Sequence, residues 1–150
     1  LSMLKRYRSG VVPAPSGELA SEARRAVDET IAHLRGNRLQ PALLAIWSLV
    51  NRANQYVDQT APFKLAKDPA QSARLDEVLY NLAEVCRILA ILLWPFLPET
   101  SVKIFAQLGL DAGVDRMAGS AWGGLKQGRS IGEPAPLFPR KDQPKTAGKA

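Results

Sequence analysis

Leu75-Asp76-Glu77-Val78-Leu79-Tyr80-Asn81-Leu82-Ala83-Glu84-Val85-Cys86-Arg87-Ile88-Leu89-Ala90-Ile91-Leu92 decides the fold class. Its apolar residues Leu75, Val78, Leu82, Val85, Leu89 and Leu92 recur in steps of three and four, the spacing that lines one face of an α-helix. Leu79, Cys86 and Leu93 widen that stripe, which predicts a helix over 70–94 buried along much of its length. Pro95 and Pro98 break it, and Glu99 suits the positive end of a new helix over 98–108, carrying Val102, Ile104, Phe105 and Leu108. Upstream, Leu39, Leu43, Ile46, Val50, Ala53 and Val57 keep the same period over 38–60. Pro41 falls in the first turn, where a missing N–H is harmless, and Pro62 ends the segment by forcing Ala61 out of helical geometry. Ala20, Ala23, Val27, Ile31 and Leu34 predict a helix over 18–36, with Glu22, Arg24, Arg25, Asp28 and Glu29 facing water and Gly36-Asn37 as its stop, the glycine tolerating the left-handed position. Residues 1–7 read as the end of a helix already under way, stopped at Gly10. No alternating pattern of useful length and no internal repeat is present. The fold class is all-α, an antiparallel helical bundle.

The remaining residues read as appendages. Helical periodicity fails after Leu110, so three stretches are expected: a bundle over 1–110, an irregular segment over 111–138, and a flexible tail or linker over 139–150. Trp122, Leu125, Leu137 and Phe138 are the expected anchors of the irregular segment. Ile46, Val50, Leu79, Leu82, Cys86 and Leu89 are the expected deep core.

Composition narrows the function. The 150 residues carry 20 Lys and Arg against 14 Asp and Glu, a net charge of +6 with a pI near 9.8. A balance of this sign favours an anionic partner. A single cysteine and a single histidine leave no disulfide framework and no all-Cys/His zinc site in the chain. The longest uncharged apolar run, residues 88–96, is too short to cross a bilayer, and nothing near the N-terminus reads as a signal peptide. No membrane role and a cytoplasmic setting are therefore expected.

Covalent chemistry finds no support in the residue inventory. There is no Gly-rich phosphate loop and no dinucleotide fingerprint. Cys86 shares a helix face with Leu82 and Leu89, as a small apolar residue does. His33 stands alone on a polar face. The pairs Asp28-Glu29 and Asp76-Glu77 diverge around their helices and read as solvated surface. Phe63 is the residue that suggests binding. It follows Pro62 in the link between two helices, with Lys64 beside it and Lys67 a turn further on. An aromatic on a rigid turn between cations suits the stacking of an unpaired base with its phosphates held nearby. The plainer possibility, that Phe63 plugs the end of the bundle, stays open on residue chemistry alone.

Asn51-Arg52-Ala53-Asn54-Gln55-Tyr56-Val57-Asp58-Gln59-Thr60-Ala61-Pro62-Phe63-Lys64-Leu65-Ala66-Lys67 closely resembles the N-x-Y-V-[DE]-x-x-x-P-W-x-L-A-K segment of methionyl-tRNA synthetases. Three further stretches agree, in order. Leu1-Ser2-Met3-Leu4-Lys5-Arg6-Tyr7 is similar to the end of the family's first anticodon-domain helix. Leu92-Leu93-Trp94-Pro95-Phe96-Leu97-Pro98 resembles L-L-x-P-F-[ML]-P, and Trp122-Gly123-Gly124-Leu125 with Pro136-Leu137-Phe138-Pro139-Arg140 resembles the closing segment. The resemblance covers about residues 1–141. It implies the helical anticodon-binding domain of a class I methionine–tRNA ligase, whose parent uses ATP and Mg, and Zn in a catalytic half, to join methionine to tRNA carrying the CAU anticodon. The family's HIGH-like and KMSKS-like motifs and zinc-knuckle cysteines are absent here, so this chain by itself is expected to be inactive and to hold no cofactor.

The implied partners are the anticodon stem-loop of tRNA(Met) and the catalytic domain of the same chain. Many members carry Trp where this sequence has Phe63; Phe keeps the π face and loses the indole donor. The resemblance assigns base stacking to Phe63 and the bracing of its turn to Pro62, while Lys64, Lys67, Arg6 and Arg52 are the candidates for phosphates. The family's base-reading Asn and Arg align ahead of residue 1. Two alternatives belong to other classes: a helical scaffold whose basic stretch (Lys126, Arg129, Arg140, Lys141, Lys145 and Lys149) recruits protein or nonspecific nucleic acid, and the anticodon domain of another class I synthetase.

Overall fold

A computed structural model of the protein describes residues 1–111 and 118–139. Six α-helices follow one another: α1 Ser2–Arg8, α2 Ala20–Arg35, α3 Leu39–Thr60, α4 Pro62–Leu65, α5 Ser72–Leu93 and α6 Pro98–Gln107, with single 3-10 turns at Pro69–Gln71 and Ala118–Ser120. Among the described residues the only sheet-like pairing is one isolated antiparallel bridge, Val11 to Ser130. None of these helices is long and apolar enough to cross a membrane. The four long helices match those the periodicity predicts to within two residues at each end.

α2 and α3 form an antiparallel hairpin, and its turn corrects one expectation. Asn37, at φ 54°, takes the left-handed position, and Gly36 does not. Asparagine adopts this conformation more readily than most residues. α5 is the central helix, with α1, α2, α3 and α6 packed around it. Tyr80, Ile88, Leu92 and Val78 on α5 meet Leu4, Leu19, Ile46, Leu49 and Leu108 from the surrounding helices and connector, all of them inaccessible.

The deep core departs from the expected set. Ile46 and Leu79 are buried, but Val50, Leu82, Cys86 and Leu89 are only partly so. Their stripe is apolar and regular, yet it points where the surrounding helices cover α5 least. Periodicity finds an apolar face without saying which face the neighbours reach.

The segment after residue 118 is fastened by a buried ion pair. Glu84, fully inaccessible, accepts from the backbone N–H groups of Gly123, Gly124 and Leu125 at 2.7, 2.8 and 3.0 Å. Arg87 lies across it with donor distances of 2.9 and 2.7 Å, and reaches on to the carbonyls of Gly119 and Ala121. A Cβ on Gly124 would stand 2.4 Å from the Arg87 guanidinium carbon, so this glycine is required by close approach. Residues 10–12 and 128–131 then run side by side through Val12 N–H to Arg129 O and Ile131 N–H to Gly10 O. Of the expected anchors, Leu125 is fully buried and Trp122 and Leu137 are half-buried, but Phe138 is 70% exposed. Arg140 and the basic residues after it, together with residues 112–117, lie outside the described residues.

Candidate nucleic-acid interface

The link between α3 and α5 is more ordered than its composition suggests. Ala61, at φ 44° and ψ 61°, closes α3 and opens α4 at once. Its N–H donates to Val57 O at 2.9 Å, and its carbonyl receives the N–H of Lys64 at 2.8 Å. A residue before proline ordinarily takes extended backbone. Left-handed geometry at a non-glycine costs about 1–2 kcal/mol and persists only where surroundings impose it. The hydrogen bonds that Ala61 makes on either side, to Val57 and from Lys64, supply that constraint, and Pro62 locks the residue that follows. It is buried at the first position of α4, where its ring fixes φ and its missing N–H leaves no donor unsatisfied. The link after Pro62 is therefore a helical turn, followed by a 3-10 turn capped by the Asp68 carboxylate on Ala70 N–H at 3.0 Å.

Burying Pro62 turns the next residues outward. Phe63 is 50% exposed, and Lys64 and Lys67 are exposed, with neither lysine in an ion pair among the described residues. Leu65 and Ala66 pack partly against the core behind them. The ring does not plug the bundle.

Behind the turn lies a polar junction that the sequence reading does not single out. Asn81, fully inaccessible, donates to Ser16 Oγ at 3.0 Å and to Glu77 O at 2.8 Å, stands 3.5 Å from Tyr56 Oη, and accepts from Leu19 N–H at 3.3 Å. Tyr56 is 3% exposed; burial first, then the nearby Glu18 carboxylate, pushes its phenol up to about 12. Arg74 binds Glu18 through both guanidinium ends and also reaches Glu77, which holds the Glu18 carboxyl below its ordinary range. Trp122 adds an indole N–H to Ser16 O at 2.7 Å. The last turns of α3 are thereby tied to the connector before α2 and to α5. The legible signal was a tyrosine and an asparagine on otherwise apolar helix faces.

The other candidates separate. Arg6 is exposed, its guanidinium 5.6 Å from the Tyr7 ring centre. It lies two residues before Arg8, which binds Asp76 and the carbonyl and hydroxyl of Ser72 at the start of α5, the end of the bundle that carries the Phe63 turn. Arg52 is engaged within the fold. Its guanidinium binds Glu22 at 3.0 Å, reaches Gln59 and lies 5.9 Å from the Tyr56 ring, so it is committed to holding α2 against α3. Glu22, expected in water, is half-buried as its partner.

Of the carboxylates read as solvated surface on α5, Asp76 is half-buried and ion-paired to Arg8, while Glu77 is exposed as read, though paired with Arg74. His33 is half-buried in the last turn of α2 and not fully solvated. The Cys86 thiol is pushed up by burial, which makes it a poor nucleophile. Among the described residues no group of three or more His, Cys, Asp or Glu could hold a metal ion.

An all-α bundle that displays a cation-flanked aromatic turn at one end has the layout of a binding module. Comparison with known proteins gives the family. The family model for the anticodon binding domain of methionyl tRNA ligase matches residues 14–147. The methionine–tRNA ligase of Caldanaerobacter subterraneus is 38% identical over 148 residues, covering 95% of this chain and 23% of that protein; that of Bacillus subtilis is 37% identical, covering 93% and 22%. The solved structure of Mycobacterium tuberculosis methionyl-tRNA synthetase bound by methionyl-adenylate superposes with a TM-score of 0.83 at 31% identity, over 92% of this chain and 29% of that one. The chain belongs to the family of anticodon-binding domains of methionyl-tRNA ligases. It spans about a quarter of the length of the curated relatives it matches.

Proposed function

We propose that the protein recognises the CAU anticodon loop of tRNA(Met) as part of a cytoplasmic methionine–tRNA ligase. The rest of that enzyme would join methionine to the tRNA with ATP, and would hold the nucleotide, its Mg and any Zn. One observation carries the reading: the half-exposed Phe63 ring, on a turn fixed by left-handed Ala61 and buried Pro62, with exposed Lys64 and Lys67 beside it. An unstacked anticodon base lies on the Phe63 face. Lys64, Lys67 and Arg6 neutralise the adjoining phosphates, which sets affinity without reading sequence. Arg52, whose guanidinium is engaged by Glu22, would contribute less to the phosphates than these three.

The test is a titration of a CAU-loop hairpin into the full-length ligase. Phe63→Ala weakens binding by about 1–3 kcal/mol, the usual worth of one base–aromatic stack, and Phe63→Trp retains or strengthens it. Lys64→Ala and Lys67→Ala weaken all RNAs alike and flatten the salt dependence. Equal affinity of wild type and Phe63→Ala for the CAU loop would refute the assignment.

A further inference from the structure

Helix α1 is seven residues long and buries Leu4 alone, so the contacts at its end decide how it sits. Arg8 makes four hydrogen bonds there. Its Nε donates to the Asp76 carboxylate, its Nη2 to the carbonyl and hydroxyl of Ser72 at 3.0 and 2.8 Å, and its Nη1 to Tyr7 O in its own helix at 2.8 Å. Ser72 and Asp76 stand one turn apart at the start of α5 and so share a face, which suits the planar fork of a guanidinium. The chain enters that same turn from the 3-10 turn Pro69–Gln71, and α4, which carries Phe63, packs against α5. Arg6 lies two positions from Arg8, about 160° around the helix. Anchoring Arg8 on α5 therefore leaves Arg6 directed away from it and exposed.

Resting on the reading that Phe63 and Arg6 meet the anticodon loop, we infer that Arg8 is a positioning residue for RNA recognition. Its fork on Ser72 and Asp76 fixes α1 to the first turn of α5, and thereby fixes Arg6 relative to Phe63. Arg8 does not itself take a phosphate, because its four hydrogen bonds occupy most of the five guanidinium donors. A cation contributes to a particular phosphate only while its helix holds it there. With the fork broken, α1 keeps the packing of Leu4 but loses its fixed angle to α5, and the Arg6 charge is spread over many positions. Asp76 and Ser72 act in the same way from the α5 side, although a carboxylate near an RNA contact would by charge alone oppose binding.

A double-mutant cycle in the full-length ligase tests this, with a CAU-loop hairpin as the titrant and circular dichroism confirming that each variant is folded at the assay temperature. In the wild-type background Arg6→Ala weakens binding about fivefold and lowers the salt slope by about one. In an Arg8→Gln background the same change costs under about twofold, because Arg6 is already misplaced. Arg8→Lys keeps the charge, loses the fork and behaves as Arg8→Gln. Asp76→Asn repeats the cycle with Arg8 in place, and weakens the hairpin about threefold even though it removes a negative charge. A full Arg6→Ala penalty in the Arg8→Gln or Asp76→Asn background would overturn the inference, since Arg8 would then serve stability alone. So would unchanged or tighter binding by Asp76→Asn, which makes the released Arg8 a phosphate ligand, or wild-type affinity in Arg8→Lys. Failure of the RNA reading is seen separately, as unchanged hairpin affinity in Phe63→Ala; failure of the positioning role leaves the Phe63→Ala loss intact.

Discussion

Two irregular stretches flank α5, and opposite forces fasten them. Residues 118–125 are held from within: Glu84 and Arg87 reach out of the core and satisfy backbone groups that would otherwise be stranded. Residues 61–71 are held from behind, by a buried proline, a left-handed alanine and a 3-10 cap, and their charged and aromatic side chains remain outside. The first stretch spends its polar groups on the fold and presents little chemistry. The second leaves them free for a partner. Segments that bind can be as ordered as segments that brace, provided that the ordering contacts lie on the opposite face.

The largest expected effect breaks the first stretch. Glu84→Ala leaves the Arg87 charge buried without its partner, at a loss of about 3–5 kcal/mol, measured as a lowered denaturant midpoint. Hydrogen exchange at Gly123, Gly124 and Leu125 should quicken in the same variant. An unchanged midpoint would mean that the irregular segment contributes nothing to stability.

Phe63→Ala is the counterpart on the second stretch, with its effect of about 1–3 kcal/mol on hairpin affinity and under about 0.5 kcal/mol on stability, as befits a half-exposed ring. A large stability loss would show that the ring braces the bundle after all.

A smaller effect probes the junction behind the turn. Tyr56→Phe removes one hydroxyl and should lower stability by about 1 kcal/mol. The native phenol titrates at about 12 against an ordinary 10. A raised folded value gives stabilisation that is complete below pH 10 and is lost as pH rises from 10 towards 12. Wild type should therefore weaken over that window relative to Tyr56→Phe. Parallel alkaline unfolding of the two proteins would contradict the buried placement of Tyr56.

The smallest effect tests the strain at Ala61. Ala61→Gly relieves the left-handed strain but loosens the unfolded chain, so the two terms oppose and stability should change by under about 1 kcal/mol. Hairpin affinity should hold, because Pro62 still sets the turn. Loss of affinity there would locate the positioning of Phe63 in the alanine and not in the proline.

The sequence by itself determined the helices and the candidate turn. Steps of three and four, with prolines at 41, 62, 95 and 98, act through local sterics and backbone hydrogen bonding, and such signals are complete within a dozen residues. The Pro62-Phe63-Lys64 turn was legible for the same reason, because proline commits its neighbours wherever it stands. Only the tertiary structure decided which apolar face is core. Leu82, Cys86 and Leu89 obey the same period as Leu75, Val78 and Leu92, and their exposure depends on where α1 and α3 come to rest. The fate of the charges was decided there too. Glu84, Arg87, Arg52 and Glu22 resemble surface residues in a linear reading, and each acquires its role from a partner brought close by packing. A charge is free or committed according to what stands within a hydrogen bond of it, and Glu22 for Arg52 and the backbone of residues 119–125 for Glu84 and Arg87 are neighbours distant in the chain.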